Sequence, residues 1–305
     1  MQVRSAVEAD RSTLAALAGP QQRRPERHIT YLGVEPEHIA AEMVEEDDDW
    51  TAVSAVAEHH GRICGWLMGS VDAEMGRVWW FGPFVDAEHD GADGEAHVGA
   101  DDGWRGIADA LYAHASSLLP DSVDQEELAP DARHVLLAGW ALDHGFHLDP
   151  GSAVLGLERV IAAPAVSDVG IVRPATAQDG RFVELHDELF AGTHTTGEGL
   201  LAGADTDHIR LVLEVDHTVV GYVAVEVQPD GGGYIDYLGV DPAHRRRGFG
   251  LTLVRAGVGA LVDRGCERFG LTVREANPGA RALYAALGFV EERVIHPYRK
   301  GFELP

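Results

Sequence analysis

The second half of the chain alternates short apolar runs with amphipathic segments. Several runs of five to nine residues alternate apolar and polar positions and are separated by Asp- and Gly-rich turns, which predicts strands. Segments with apolar residues three and four positions apart predict helices. The predicted strands cover 170–175, 209–215, 219–227, 234–240, 268–274 and 290–296, and the predicted helices cover 178–190, 250–264 and 277–288. The Gly- and Thr-rich stretch 191–207 is expected to be a loop or a broken helix.

The first half repeats this order of elements. Residues 52–71 align with 208–227 without a gap, and Val85-Asp86 follows a strand as Val240-Asp241 does. Such ordered similarity indicates an internal duplication. We therefore predict an α/β protein of two similar domains, 1–160 and 161–305, each a mixed, mostly antiparallel sheet flanked by helices. The small-residue, Pro-bearing stretch 162–170 is typical of a linker.

Composition narrows the class of protein. The 305 residues carry a net charge of -26, which argues against binding to nucleic acid or to an anionic membrane surface. No apolar run approaches the roughly 18 residues of a membrane span, and Cys64 and Cys266 cannot form a disulfide framework or a zinc ribbon. We expect a cytoplasmic protein.

The most informative segment is Leu238 to Leu251, which leaves a strand, turns at Asp241-Pro242 and enters a helix through Arg245-x-x-Gly248-x-Gly250. Glycines let backbone approach a ligand closely, and amides at a helix N-terminus attract anions. Basic residues at that end oppose the helix dipole unless an anion compensates them. The segment therefore predicts a pyrophosphate site, although it matches neither the P-loop nor the Rossmann glycine pattern.

Together with Asn277-Pro-Gly-Ala-Arg-Ala-Leu-Tyr-Ala-Ala-Leu-Gly-Phe289, this segment resembles the GNAT superfamily of N-acetyltransferases. The resemblance covers residues 170–300, and the duplicated layout is similar to tandem GNAT proteins such as mycothiol synthase. It implies an acyltransferase that uses acetyl-CoA as co-substrate, with no metal. The acetyl group would pass directly to a primary amine of a small molecule or a peptide.

The resemblance also implies roles for individual residues. The backbone of 238–240 would pair with the pantetheine arm and thioester, and the N–H groups of 246–251 would hold the pyrophosphate. Asn277 would contact pantetheine, cap its helix, or do both, and Arg281 would reach the phosphates. The cofactor-binding residues so implied are Leu238, Gly239, Val240, Arg245, Arg246, Arg247, Gly248, Phe249, Gly250, Leu251, Asn277 and Arg281.

Tyr284 stands where the family places its general acid, although a core aromatic is the alternative interpretation. Many relatives carry a glutamate where Tyr234 stands, so Asp236, two residues further on, is the candidate base and Glu226 the reserve. The acceptor can also arrive already deprotonated. His186 and His194 are further candidates for substrate contact.

The first half is expected to lack this machinery. Its corresponding loop, 87–97, is acidic, and Ala141 stands where Tyr284 would be. We interpret residues 1–160 as a degenerate domain without cofactor. The competing hypothesis for the whole chain is an acyl-CoA-binding regulatory module that transfers nothing. The sequence leaves open the acceptor and the oligomeric state, a homodimer included.

Overall fold

The structure is a computed structural model that describes residues 1–46, 49–86, 100–158, 170–191 and 195–302. The chain divides into two compact units. The first unit contains Met1–Gly151 and Arg293–Pro305, and the second contains Ser152–Glu292. Most of the predicted linker and the acidic loop 87–97 lie outside the described residues.

The first unit contains a seven-stranded sheet in the order β1-β2-β3-β4-β5-β14-β6. Only the β4–β5 pair is parallel among the registers of the described strands. Its strands are β1 (Gln2–Ser5), β2 (Ser54–His59), β3 (Arg62–Asp72), β4 (Arg77–Val85), β5 (Gln125–Leu128), β6 (His147–Leu148) and β14 (Tyr298–Lys300). Its helices are α1 (Arg11–Gln22), α2 (Pro36–Glu46), α3 (Ala100–Ser116) and α4 (Val135–Asp143).

The second unit contains a seven-stranded sheet in the order β13-β7-β12-β11-β10-β9-β8. Its strands are β7 (Ser152–Leu157), β8 (Ile171–Pro174), β9 (His208–Val215), β10 (Thr218–Val227), β11 (Gly233–Val240), β12 (Phe269–Arg274) and β13 (Val290–Ile295), whose last three residues are counted in the first unit. Its helices are α5 (Gly180–Leu189), α6 (Gly197–Ala202), α7 (Phe249–Val262) and α8 (Pro278–Ala286). The predicted fold class is confirmed, and α6 is the helical part of the stretch predicted as a loop or broken helix.

The bounds of the two units differ from the predicted domains 1–160 and 161–305. Strand β7, which precedes residue 160, pairs with β12 of the second sheet over six positions, from Ser152 opposite Arg274 to Leu157 opposite Phe269. Strand β14, at the C-terminal end, pairs with β5 and β6 of the first sheet. The sequence rule that neighbouring segments share a sheet fails here, because each sheet is completed by a strand from the other side of the predicted boundary.

One side-chain arrangement occurs in both units. An arginine on an edge strand of the sheet, β1 or β8, donates two hydrogen bonds to an aspartate six residues later and at least one to a glutamate on the neighbouring strand, all at 2.5–3.0 Å. The residues are Arg4, Asp10 and Glu58 in the first unit and Arg173, Asp179 and Glu214 in the second. Because the two glutamates correspond in the ungapped alignment, this repeat supports the predicted duplication.

Helices cover the second sheet on both faces. Helix α7 buries Leu253, Val254 and Leu261 and contacts β9, β10 and β11. Phe182 and Leu185 of α5 pack with buried side chains of the same sheet, including Tyr222. Among the described residues, no helix combines the length and the apolar composition that a membrane crossing requires.

Candidate active site

The central feature of the second unit is a separation between two parallel strands. Strands β11 and β12 pair at three positions only, from Gly233 opposite Phe269 to Ile235 opposite Leu271. Beyond them, β11 stays paired with β10 as far as Val240, and β12 stays paired with β7 as far as Arg274. Since each strand is held by its outer neighbour, the facing edges diverge and leave an opening.

A β-bulge bends β11 where this opening begins. Tyr237 lies opposite Ala224 and Ile235 lies opposite Val225, so Asp236 is the extra residue of the bulge. A bulge redirects side chains and increases the local twist. The side chain of Asp236 lines the opening.

The opening is a cleft with a volume of about 1190 Å³. It lies within the second unit and is bounded by the diverging strands, the end of α5, the loop before α7, and helix α8. The polar and aromatic side chains that line it include Glu188, Phe190, Asp236, His244, Arg245, Arg246, Thr272, Arg274, Asn277 and Tyr284.

Side-chain hydrogen bonds fix the loop at one end of this cleft. The carboxylate of Asp241 accepts a hydrogen bond from the Ala243 N–H at 2.8 Å and another from Arg181 at 3.1 Å. Arg245 Nε donates to the carbonyl oxygen of Val240 at 3.1 Å. The strand is thereby held against the loop that follows it.

The loop enters helix α7 in a conformation suited to an anion. Gly248 is the N-cap with a φ of +85°, and Arg246 also has a positive φ, of +65°. The first amides of a helix have no acceptor within the helix, and here they follow two cationic side chains, Arg245 and Arg246, that line the cleft. The predicted pyrophosphate site therefore has amides, positive charge and an open approach.

Not all of the predicted cofactor residues face the cleft. Leu238, Val240, Gly250 and Leu251 line it, whereas the exposed Arg247 does not. Gly239 points away, because a Cβ built there would lie 2.3 Å from the ring of Tyr222.

Arg281 is also directed elsewhere. Its guanidinium forms a 2.6 Å ion pair with Glu291, and it is not among the residues lining the cleft. This placement does not support a phosphate contact from the side chain of Arg281.

Asn277 caps helix α8, and its side-chain oxygen accepts the Ala280 N–H at 3.1 Å. It also lines the cleft, so the two roles predicted for this residue are compatible.

Tyr284 projects from α8 into the cleft wall and is 6% exposed. Its ring meets Phe289 edge to face with 5.7 Å between centroids. Burial raises the pKa of the phenol to about 12. With this raised pKa the phenol is protonated at neutral pH. Within the described part of the chain its hydroxyl makes no hydrogen bond, so it can donate to a ligand in the cleft.

The candidates for the base differ in their surroundings. Burial raises the pKa of Tyr234, whose hydroxyl lies 3.0 Å from Thr272 Oγ1, so this phenol is not a base at neutral pH. Glu226 is near His208 and Gln228 and does not line the cleft. Of these three candidates, Asp236 is the one that lines the cleft.

The prediction that His186 contacts substrate is wrong. Its side chain is fully buried, and both ring nitrogens are hydrogen-bonded within the unit, to Tyr222 and to the backbone of Thr195. The sequence could not distinguish a buried histidine from an exposed one near the end of α5. His194 lies outside the described residues.

Sequence reasoning missed Arg210, a buried arginine on β9. Its guanidinium donates to the carbonyl oxygens of Leu200 at 3.1 Å and Val225 at 3.2 Å. Burial lowers the pKa of Arg210, while the nearby carboxylates, Asp236 foremost, raise it. The sequence signal that could have indicated this buried residue is an arginine between two apolar residues of a strand, Ile209 and Leu211.

Comparisons with known proteins agree with this geometry. Residues 180–289 match the model of the acetyltransferase (GNAT) family. The chain is 39% identical over 72 residues to an N-alpha-acetyltransferase MAK3 of Arabidopsis thaliana, covering 23% of this chain and 38% of that protein. It is 38% identical over 89 residues to a mycothiol acetyltransferase of Thermobispora bispora, covering 27% and 30%. The matches thus span well under half of these relatives' length.

Two solved structures resemble the whole chain. A GCN5-related N-acetyltransferase from Sphaerobacter thermophilus has a TM-score of 0.73 at 19% identity, covering 99% of this chain and 97% of that one. A tandem GNAT protein from the clavulanic acid biosynthesis pathway has a TM-score of 0.64 at 16% identity, covering 100% and 99%. At these identities the likeness establishes the fold: two GNAT-like units in one chain. The resemblance read from the sequence motifs is confirmed.

Proposed function

We propose, from the premise that residues 180–289 form a GNAT acetyltransferase domain, that the second unit transfers the acetyl group of acetyl-CoA directly to a primary amine. The observation that carries this proposal is the cleft between β11 and β12, which has a basic, amide-rich loop at one end and Asp236 and Tyr284 in its wall. A thioester anchored by its diphosphate at that loop can extend along β11 toward those two side chains.

The residues present fit such a donor. Gly248 has open space on its Cβ side, and a side chain at Gly250 would meet Leu283 at 2.9 Å, so glycine keeps this turn clear for a diphosphate. The α7 amides and the side chains of Arg245 and Arg246 would hold it. Bound acetyl-CoA supplies an activated acyl group, and the role of the protein is to place an amine beside that group.

Tyr284 would stabilise the departing sulfur. A phenol with a pKa of about 12 stays protonated at neutral pH. Since a thiol has a pKa of about 8.5, we expect the phenol to donate a hydrogen bond to the thiolate rather than to lose its proton to it. Because Tyr284 is buried, the low dielectric around its hydroxyl strengthens that hydrogen bond.

Asp236 would receive the proton that the acceptor must lose. Asp236 lies in the bulge and lines the cleft, and its carboxylate and the guanidinium of Arg210 attract each other. We propose Asp236 as the base for an ammonium acceptor, acting directly or through a water molecule.

The acceptor belongs to a small molecule or a peptide. Several relatives carry N-alpha-acetyltransferase in their names, which supports nitrogen as the accepting atom. The acceptor would enter beside Phe190 and Glu188, which line the wall of the cleft next to the end of α5.

Two measurements on the full chain test the proposal. Calorimetry with CoA measures binding, and thiol release from acetyl-CoA measures transfer across a panel of primary amines and peptides. Binding together with amine-dependent release is the expected result. Binding without release for any acceptor would favour the acyl-CoA-binding module, and absence of binding would refute both functions.

A further inference from the structure

The first unit has the same strand divergence as the second. Strand β4 pairs in parallel with β5 from Arg77 opposite Gln125 to Trp80 opposite Leu128, and β4 then continues as far as Val85 paired only with β3 on its other edge. In the second unit the equivalent divergence is the open cleft. Whether it is also open in the first unit depends on what lies beside the residues that follow β5.

Both edges of the chain after β5 are occupied. On one edge, the Pro130 carbonyl accepts the His296 N–H at 3.0 Å and the Ala132 N–H donates to Val294 at 2.8 Å. On the other edge, the Ala129 carbonyl accepts the Thr30 N–H and the Asp131 N–H donates to the His28 carbonyl. Residues 294–296 lead into β14, so 28–30 lies along the opposite edge, the one that faces β4.

The middle of the segment 28–30 is held by hydrogen bonds to the side chain of Gln22. The N–H of Ile29 donates to the amide oxygen of Gln22 at 2.8 Å, and the Gln22 amide nitrogen donates to the carbonyls of Ile29 and Leu32 at 2.8 Å. Ile29 is 0% and Gln22 2% exposed. The backbone of 28–30 therefore has partners on both of its edges.

The adjacent glutamine, Gln21, forms a hydrogen bond with strand β4. Gln21 Oε1 accepts the N–H of Val85 at 3.2 Å. Val85 corresponds in sequence to Val240, which lines the cleft of the second unit. Beside it, the ring of Tyr31 meets Phe81 of β4 edge to face at 6.1 Å.

The N-terminus of helix α4 is buried as well. His134 is the N-cap of α4, the position that Asn277 holds on α8, but it is 1% exposed. Its ring lies 6.1 Å from Trp104, a fully buried residue of α3 over which the Arg27 guanidinium lies at 6.0 Å.

We infer that the segment 28–30, held by Gln22 and with Gln21 bonded to β4 beside it, occupies in the first unit the place that is the open cofactor cleft in the second. The chain supplies its own extended backbone and side-chain amides where the second unit leaves β11 accessible. The full chain therefore binds one CoA, in the second unit. The count of one CoA rests on the proposed function, whereas the closure of the first unit goes beyond it, because the first-unit contacts stand whether or not the second unit catalyses transfer.

The stoichiometry of CoA binding to the full chain tests this asymmetry. We expect one site per chain, and we expect Gly248→Val to abolish it, because valine is strained at a φ of +85°. Two sites, or a site that Gly248→Val leaves intact, would overturn the inference. No site at all would refute the proposed function but agree with a closed first unit.

Hydrogen exchange of the Ile29 and Thr30 amides gives a second, independent test. We expect both to be protected in the wild-type chain and unaffected by CoA, and Gln22→Ala to accelerate the exchange of Ile29 by roughly ten-fold. Gln178→Ala, at an exposed position, is the matched control and should change nothing at these amides. Fast exchange in the wild type, or a change of these amides on adding CoA, would contradict a permanently occupied opening.

Discussion

The hydroxyl of Tyr222 donates a 2.7 Å hydrogen bond to Nδ1 of His186. The direction follows from the other ring nitrogen, since Nε2 lies 3.1 Å from the carbonyl oxygen of Thr195, which can only accept. The ring of Tyr222 also lies against Gly239 of β11. One buried pair thus connects helix α5, the turn before α6 and the strand that forms the cleft.

We expect Tyr222→Phe to reduce the free energy of unfolding by about 1–3 kcal/mol, because Nδ1 of His186 would be left buried without a donor. The ring of His186 stacks on Phe190, with 5.3 Å between centroids, and Phe190 lines the cleft. The KM of an amine acceptor should therefore rise more than the Kd of CoA. Urea unfolding and steady-state kinetics measure the two effects.

The control for this substitution is Tyr234→Phe. It also removes one tyrosine hydroxyl, but Tyr234 is half-buried, whereas Tyr222 is fully buried, and the hydrogen bond that Tyr234 forms with Thr272 Oγ1 is accessible to water. We expect a smaller loss of stability, below about 1 kcal/mol. If both variants lose the same stability and neither changes the acceptor KM, the buried pair does not position the cleft wall.

Replacing Tyr284 by Phe tests the donor to the departing sulfur. We expect kcat to fall by about 10²-fold while the Kd of CoA stays constant, because the hydroxyl acts when charge develops on sulfur. Tyr234→Phe again serves as control and should retain most of the activity. Parallel loss of kcat and CoA affinity in Tyr284→Phe would assign the residue to packing instead.

The ion pair of Arg173 and Asp179 predicts a pH-dependent stability. Hydrogen bonding to Arg173 lowers the pKa of Asp179 to about 2, against about 3.9 in an unfolded chain. A carboxyl whose pKa is lowered by folding stabilises the protein above its unfolded pKa, and this stabilisation is lost as the pH falls from about 4 to 2. Asp179→Asn should therefore cost about 2 kcal/mol at pH 7 and much less near pH 2.

The chain offers a matched variant and a built-in reporter for this experiment. Asp10→Asn removes the corresponding carboxylate of the first unit, whose pKa is also lowered by an arginine, Arg4. All six tryptophans precede residue 151, so tryptophan fluorescence follows the first unit, whereas circular dichroism follows both. A destabilisation of Asp179→Asn that is equal at pH 7 and pH 2 would contradict the assigned pKa.

The strong local patterns in the sequence predicted the helices and strands of the second unit, except β7 and α6, and the loop before α7. The arginine–aspartate spacing of Arg4 and Asp10 recurs at Arg173 and Asp179, but no prediction was drawn from it. The bulge at Asp236 could not be predicted, since the extra residue becomes evident only when β11 is paired with β10. Burial of His186 likewise depends on packing that a single sequence does not encode locally.

The assignment of β7 to the second sheet could not be predicted either, because its apolar run fits the core of either unit. Its consequence is testable with two fragments that differ in this strand, 152–292 and 161–292. Without β7, strand β12 loses a partner at six positions, and the cleft loses the support that holds its β12 wall. We expect 152–292 to bind CoA and 161–292 to be insoluble or to bind it at least about ten-fold more weakly.

A mixture of fragment 161–292 with a synthetic peptide of residues 152–158 separates a missing strand from a damaged fold. Because strand pairing is the contribution of β7, the added peptide should recover part of the binding, and a peptide of the same composition in scrambled order should not. Calorimetry with CoA measures all four samples. Equal affinities of the two fragments would mean that the cleft keeps its shape without β7 and that the divergence of β11 and β12 has another cause.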